Sequence, residues 1–430
     1  MIISQLYNIF KQHPVVTTDS RVCPDGAIFF ALKGPTFNGN NYADSAIEQG
    51  CSYAVVDEWD ETKTRPEHII MVDDVLTVLQ KLANYHRKTF KTPVIAITGT
   101  NGKTTTKELV AAVLAKEFKV LYTQGNFNNH IGVPLTLLSL NKEHEIAVIE
   151  MGASHPGDIK ELCEIAEPNF GLITNVGVAH IEGFKSVENV VKTKKELFDY
   201  LEQNNGKVFL NSALKDVLTL SPNMSVNEYG KDDRSLFVSG SVISNYPYLD
   251  FEWSFFDNQH NVKTHLVGDY NMDNGLAAIT IGSFFGVNSQ FINDALEEYI
   301  PKNSRSQFEK TDNNTLIIDA YNANPKSMKA ALDNFVHYPL SPKALIIGEM
   351  RELSGVSQAE HQQLVDLIEA YSFTKVYLVG GSFKELNTSF PVYDNVGDLI
   401  EEFSLHPLLD YCILIKGSNG VQLDKVVEFL

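Results

Sequence analysis

The stretch Val94-Ile-Ala-Ile-Thr-Gly-Thr-Asn-Gly-Lys-Thr-Thr-Thr-Lys107 decides how the rest of the chain is read. A short β-branched strand breaks at Gly99 into a glycine loop, and the loop opens into a helix that carries Glu108, Leu109 and Val110. Strand, loop, Lys-Thr and helix in this order describe a phosphate cradle. Gly99 and Gly102 let backbone N–H groups turn inward, and the new helix points its positive end at the anion. Lys103 adds a point charge and Thr104 offers a hydroxyl to Mg²⁺. The strict Walker pattern is not met, because its first glycine would fall at Ile97. A short Gly-x-x-Gly-Lys-Thr also occurs as an ordinary strand-to-helix turn, so the elements around it carry the nucleotide reading.

Working outward, Lys119-Val-Leu-Tyr122, Ile146-Ala-Val-Ile149 and Phe170-Gly-Leu-Ile-Thr174 join Val94-Ile-Ala-Ile97 as nearly all-apolar runs. Such runs are parallel strands buried on both faces, and a sheet of them binds ligands beyond its carboxyl edge. Thr104, Glu150 and His180 fall at that edge. Glu150 suits an Mg²⁺ ligand, or else a carboxylate that caps the next turn. His180 reads equally as a ligand or as a hydrogen-bonded histidine. Asn126, Asn128 and Asn129, in the run Gly125-Asn-Phe-Asn-Asn-His-Ile-Gly-Val-Pro134, reach the same edge either as turn formers or as ligands.

The helical pattern from Val187 to Leu201 places Lys194 in the middle of an apolar stripe with Val190, Val191, Leu197 and Phe198. A lysine there either snorkels to the edge or stays desolvated with a lowered pKa. In the second case its neutral amine is available to take up CO₂ as a carbamate, which offers oxygens to Mg²⁺. Between Leu201 and Val267 the alternation, including Leu249-Asp-Phe-Glu-Trp-Ser-Phe255, predicts antiparallel hairpins. Asn271 and Asn274 share one face of the Ala-rich helix that follows and suit a base edge.

The remaining chain supplies two further units. Residues 1–74 read as a small α/β domain, 75–300 as the central domain, and 301–430 as a second doubly wound, Rossmann-like sheet. Its strands are Leu316-Ile-Ile-Asp319, Ala344-Leu-Ile-Ile347, Lys375-Val-Tyr-Leu-Val379 and Cys412-Ile-Leu-Ile415. At 430 residues one core is not enough, so a multidomain α/β chain is expected. A net charge of −19 argues against a nucleic-acid partner. No run stays apolar for about 18 residues, so no membrane insertion is expected. Four cysteines, Cys23, Cys51, Cys163 and Cys412, lie far apart and read as reduced residues of a cytoplasmic protein.

These motifs in combination resemble the ATP-dependent Mur ligases of peptidoglycan synthesis over essentially the whole chain. The residues that carry the resemblance are Thr98 to Thr106, Asn126 to Pro134, Glu150-Met-Gly, Val178-Ala-His-Ile-Glu-Gly-Phe184, Lys194 and Asp319-Ala-Tyr-Asn-Ala-Asn-Pro-Lys-Ser-Met328. Within that family, Tyr-Asn-Ala-Asn-Pro and the asparagine run point to the branch that adds D-alanyl-D-alanine to UDP-N-acetylmuramoyl-tripeptide.

The resemblance implies that a tripeptide carboxylate attacks the ATP γ-phosphate, and that the dipeptide amine then displaces phosphate from the acyl phosphate. It implies ATP contacts along Gly99, Thr100, Asn101, Gly102, Lys103, Thr104 and Thr105. It also implies one Mg²⁺ at Thr104 and Glu150, and a second at His180 and carbamylated Lys194. Adenine is expected at Asn271 and Asn274, the γ-phosphate near Arg305 and the ribose near Asp319. Tyr321, Asn322 and Asn324 are expected at the wall where the third domain closes, and Ser20 and Arg21 at the UDP. A monomer is expected.

Two departures stand out. Asn38-Gly39-Asn40 replaces the family's Asp-Gly-His, and Asn419 stands where an arginine is common. Rival readings are a sister Mur-type ligase, a folylpolyglutamate synthase, or a nucleotide-dependent binding protein.

Overall fold

A computed structural model describes residues 2–60, 62, 64–177, 181–302, 305–351 and 353–430. Three sheets organise them. The first is a four-stranded parallel sheet in the order Val16–Thr17, Ile28–Phe30, Tyr53–Val56, Ile69–Met71. Asp74 then caps the helix Val75–Lys88, accepting the Thr77 N–H at 2.7 Å. This helix joins two sheets: Leu79, Leu82 and Ala83 are buried in one apolar core with Phe10 and Phe30 on one side and Val94 and Ala96 on the other.

The central sheet has nine strands. Val120–Tyr122, Ile146–Glu150, Val94–Thr98, Phe170–Ile173, Lys207–Asn211, Ser225–Lys231 and Val238–Ser244 run parallel in that spatial order, and Asp250–Phe255 and Asn258–Lys263 extend the edge antiparallel. The hairpin expectation for residues 201–267 therefore holds only at the far end. Val208, Phe209 and Leu210 are buried consecutively. That is the signature of a strand covered on both faces, whereas Asp250–Phe255 alternates at its start as a half-covered strand does.

The third sheet runs Gln307–Lys310, Thr315–Asp319, Cys412–Lys416, Lys343–Gly348, Lys375–Val379, Val392–Tyr393, parallel except for its first strand. Separate apolar cores cover its two faces, as in a doubly wound sheet. The carboxyl edge of this sheet, with Asp319 and Lys416, faces the phosphate loop of the central one across shared cavities. Among the described residues no helix is long and apolar enough to cross a membrane.

Candidate active site

Two neighbouring strand ends build the site. Val94–Thr98 and Ile146–Glu150 pair with Ile97 opposite Glu150, so the carboxylate emerges beside the glycine loop. Gly102 has a φ of +75°, and a Cβ there would stand 2.6 Å from Asn274 Oδ1; both the backbone and the close approach call for glycine. Asn175 holds the loop from behind. Its Oδ1 accepts the Asn101 N–H at 3.0 Å, its Nδ2 donates to the Asn101 carbonyl at 3.0 Å, and Thr174 Oγ1 donates to that carbonyl at 2.6 Å. Lys103 Nζ bends back over the loop and donates to the Gly99 and Thr100 carbonyls at 2.9 and 3.0 Å.

Glu150 is 1% exposed. Its Oε1 accepts from Thr104 Oγ1 at 3.2 Å and from Asn128 Nδ2 at 2.7 Å. Its Oε2 is buried with no hydrogen-bond partner among the described residues. A buried carboxylate oxygen without a partner is costly, and a cation in front of it removes that cost. The donor set fits Mg²⁺: one carboxylate and one hydroxyl beside a phosphate loop leave the other positions to phosphate and water. No cluster of three or more His, Cys, Asp or Glu competes for a metal among the described residues.

Lys194 lies on the helix Val187–Gln203, capped by Ser186, and is 3% exposed. Its Nζ stands 5.7 Å from the centre of the Phe184 ring. Burial first, and the charge of Lys103 second, push its pKa down to about 7, against the pull of Asp158 and Glu196. The ammonium therefore does not snorkel to water. It lines a cavity of about 480 Å³ together with the phosphate loop, Glu150, Asn128 and Asn129. His180 lies outside the described residues.

Arg305 stacks on Tyr321, its Cζ 3.5 Å from the ring centre. Both residues also line a second cavity, of about 420 Å³, with Thr104, Asn126 and Asn419. They line a third as well, of about 320 Å³, with Thr105, Asn271, Asn274, Asp319 and Asn322. In that third cavity Asn274 Nδ2 donates to Asn271 Oδ1 at 2.8 Å, Asn271 Nδ2 donates to the Val267 carbonyl at 2.8 Å, and Thr106 Oγ1 donates to Asn274 Oδ1 at 3.0 Å. Asp319 forms a short ion pair with the buried Lys416.

Some expected residues do other work. Asn129 Oδ1 accepts the Ile131 and Gly132 N–H groups at 3.0 and 2.9 Å, so it caps the next helix while lining the first cavity. Asn324 pairs with Asn101 across the domain boundary. Ser20 and Arg21 lie on the first domain, where Arg21 is spread on the surface against Asp19 at 2.7 Å; they line none of these three cavities. Asn38 and Asn40 join Lys33, Asp57 and Glu58 in one polar cluster at the end of the first sheet. Sequence reasoning missed Asn175, Asp158 and Lys416. Asn175 and Lys416 had a signal, since each closes or follows an apolar strand at a ligand-facing edge.

A glycine loop, a buried carboxylate oxygen without a partner and a buried amine share one chamber, an arrangement compatible with nucleotide-dependent chemistry. The chain belongs to the Mur ligase family. Family models for the catalytic domain of the Mur ligase family, the Mur ligase middle domain and the Mur ligase glutamate ligase domain match residues 14–87, 97–282 and 304–418. The chain is 31% identical to the UDP-N-acetylmuramoyl-tripeptide–D-alanyl-D-alanine ligase of Bacillus subtilis, over 96% of this chain and 92% of that one. Among solved structures it resembles MurF from Acinetobacter baumannii, with a TM-score of 0.85 at 27% identity over 96% of this chain and 92% of that one. It also resembles MurF ligase from Thermotoga maritima in complex with ADP, with a TM-score of 0.85 at 25% identity over 96% of each chain.

Proposed function

We propose that this chain joins D-alanyl-D-alanine to UDP-N-acetylmuramoyl-tripeptide with ATP, in the cytoplasmic synthesis of peptidoglycan precursors. The whole-length similarity to ligases of that name supports it. The observation that carries the chemistry is the shared chamber, with the phosphate loop, the free Oε2 of Glu150 and the buried Lys194 on its walls.

Residues 1–74 serve in this reading to hold UDP through Ser20 and Arg21, residues 75–300 to hold ATP, and residues 301–430 to close over both. The loop N–H groups from Gly99 to Thr105 and the Lys103 charge take the phosphates. Arg305, held flat by Tyr321, faces the transferring phosphoryl group, and Asn271, Asn274, Asp319 and Asn322 enclose the nucleoside. Thr104 and Glu150 would hold Mg²⁺, which neutralises charge on the phosphates and leaves the γ-phosphorus open to the tripeptide carboxylate.

A pKa near 7 keeps much of Lys194 as free amine at neutral pH. That amine adds CO₂ to form a carbamate N–C bond with release of one proton, and with His180 would hold a second Mg²⁺. The residues otherwise act by placing the carboxylate, the phosphate and the dipeptide amine in line and by excluding water from the acyl phosphate. The protein works as a monomer in this reading.

The test is ATP-dependent phosphate release with UDP-N-acetylmuramoyl-tripeptide, comparing D-alanyl-D-alanine with D-alanine, diaminopimelate, lysine and no acceptor. Release that requires the dipeptide, with a pentapeptide product by mass, is the expected result. Release with another acceptor keeps the fold and moves the activity to a sister ligase.

A further inference from the structure

The third-domain helix Pro325–Val336 touches the central domain at both ends. Near its carboxyl end, Asn245 Nδ2 donates to Asn334 Oδ1 at 3.3 Å and Tyr338 Oη donates to the Pro247 carbonyl at 2.7 Å. The Tyr246 and Tyr338 rings meet edge-on there at 5.0 Å. At the amino end Asn324, 4% exposed, does two things. Its Oδ1 accepts the Ser327 N–H at 3.0 Å and caps the helix, and its Nδ2 donates to Asn101 Oδ1 at 2.6 Å, with Asn101 Nδ2 facing Asn324 Oδ1 at 3.4 Å. Beside it Lys326 Nζ donates to the Val176 carbonyl at 3.2 Å.

Asn101 is the tip of the phosphate loop. Its backbone N–H and carbonyl are already held by Asn175 and Thr174, so the direction of its side chain follows the conformation of the loop. A side-chain amide offers one acceptor and two donors in a fixed plane, and it finds Asn324 only when loop and helix are in register. We infer that Asn101 and Asn324 form an interdomain latch: they are positioning residues that tie docking of the third domain to the shape of the phosphate loop. The Asn245–Asn334 and Pro247–Tyr338 contacts, which include no residue of that loop, are the pivot about which the latch end swings. Two sites become coupled when both bias one such two-state contact.

The inference rests on ATP being the ligand of the loop, and its test separates the two. Wild type, Asn101→Ala, Asn324→Ser and the double variant are compared by small-angle X-ray scattering with Mg²⁺ and adenylyl imidodiphosphate, with nucleotide binding measured by calorimetry alongside. Serine still caps the helix but cannot reach Asn101, so a melting curve close to wild type certifies that the helix is intact. The expected result is compaction of the wild type on binding. The closed-to-open ratio falls roughly tenfold in each single variant, and the second substitution adds nothing. Independent effects that multiply in the double variant, or an effect of Asn101→Ala alone, overturn the latch. Compaction indifferent to both substitutions overturns it too. Failure of the wild type to bind the nucleotide overturns the ligase reading and the latch together.

Discussion

Thr104 Oγ1 donates to Glu150 Oε1 at 3.2 Å, bringing a helix-start hydroxyl and a strand-end carboxylate together although 46 residues separate them. Asn128 donates to the same oxygen at 2.7 Å, while Glu150 Oε2 has no hydrogen-bond partner among the described residues and is the oxygen proposed to face Mg²⁺. Glu150→Gln keeps the volume and removes the charge. It is expected to lower kcat by on the order of a hundredfold or more and to raise the Mg²⁺ concentration needed for half-maximal rate. Thr104→Val is expected to move the same metal curve less far. A Glu150→Gln enzyme with an unchanged Mg²⁺ curve removes the metal assignment.

Lys194→Ala deletes the buried amine and is expected to be nearly inactive, with partial recovery when a short carboxylic acid is added to occupy the space and the charge of a carbamate. Phosphate release with and without added acid is the measurement. Full activity of the variant ends the carbamate reading.

Tyr321 presents its ring to Arg305 with 3.5 Å between guanidinium carbon and ring centre. A contact of that kind is worth about 0.5–2 kcal/mol. Tyr321→Ala is accordingly expected to slow turnover several-fold by loosening Arg305, while Tyr321→Phe, which keeps the ring, stays near wild type. Equal losses in both variants would assign the role to the phenolic hydroxyl instead.

His361 is fully buried in the third domain. Its Nε2 accepts the Met350 N–H at 2.9 Å and its Nδ1 bonds the Ser357 carbonyl at 2.7 Å, which sets the neutral ring with the proton on Nδ1. Burial lowers its pKa below the ordinary 6.5. The folded state therefore resists a proton that the unfolded state accepts. This stability is complete above pH 6.5 and is lost as pH falls towards the folded pKa. His361→Gln is expected to cost about 1–3 kcal/mol at pH 7.5. It is also expected to flatten the decline in urea midpoint between pH 6.5 and 5. A variant whose decline stays parallel to wild type places the acid sensitivity elsewhere.

Much of this architecture is legible in the residues. Apolar runs such as Ile146 to Ile149 announce parallel strands, and the strand-ending Glu150 and stripe-centred Lys194 are visible as misfits against their own periodicity. The strand at Lys207–Asn211 is harder to read, because burial on two faces depends on the layers that cover it and leaves no local alternation; Ser225–Lys231 is harder for the opposite reason, since only Tyr229 and Gly230 are buried and the rest carries little apolar signal. Asn101 and Asn324, 223 residues apart, carry no mark of their pairing. Each is an ordinary loop or cap residue until two domains meet. The dual use of Asn129, helix cap and cavity wall, is invisible for the same reason: turn chemistry and ligand chemistry employ the same amide.

Arg305 and Tyr321 border all three chambers, so the chamber at the glycine loop, the chamber at Asn271 and Asn274 and the space beside Asn419 share one stacked pair. For an inhibitor this makes the stack a crossroads. Two weak fragments seated in adjoining chambers would both border the Arg305–Tyr321 stack. A linker threaded past it converts the second binding event into an intramolecular one, with a gain set by how well its length spans the gap.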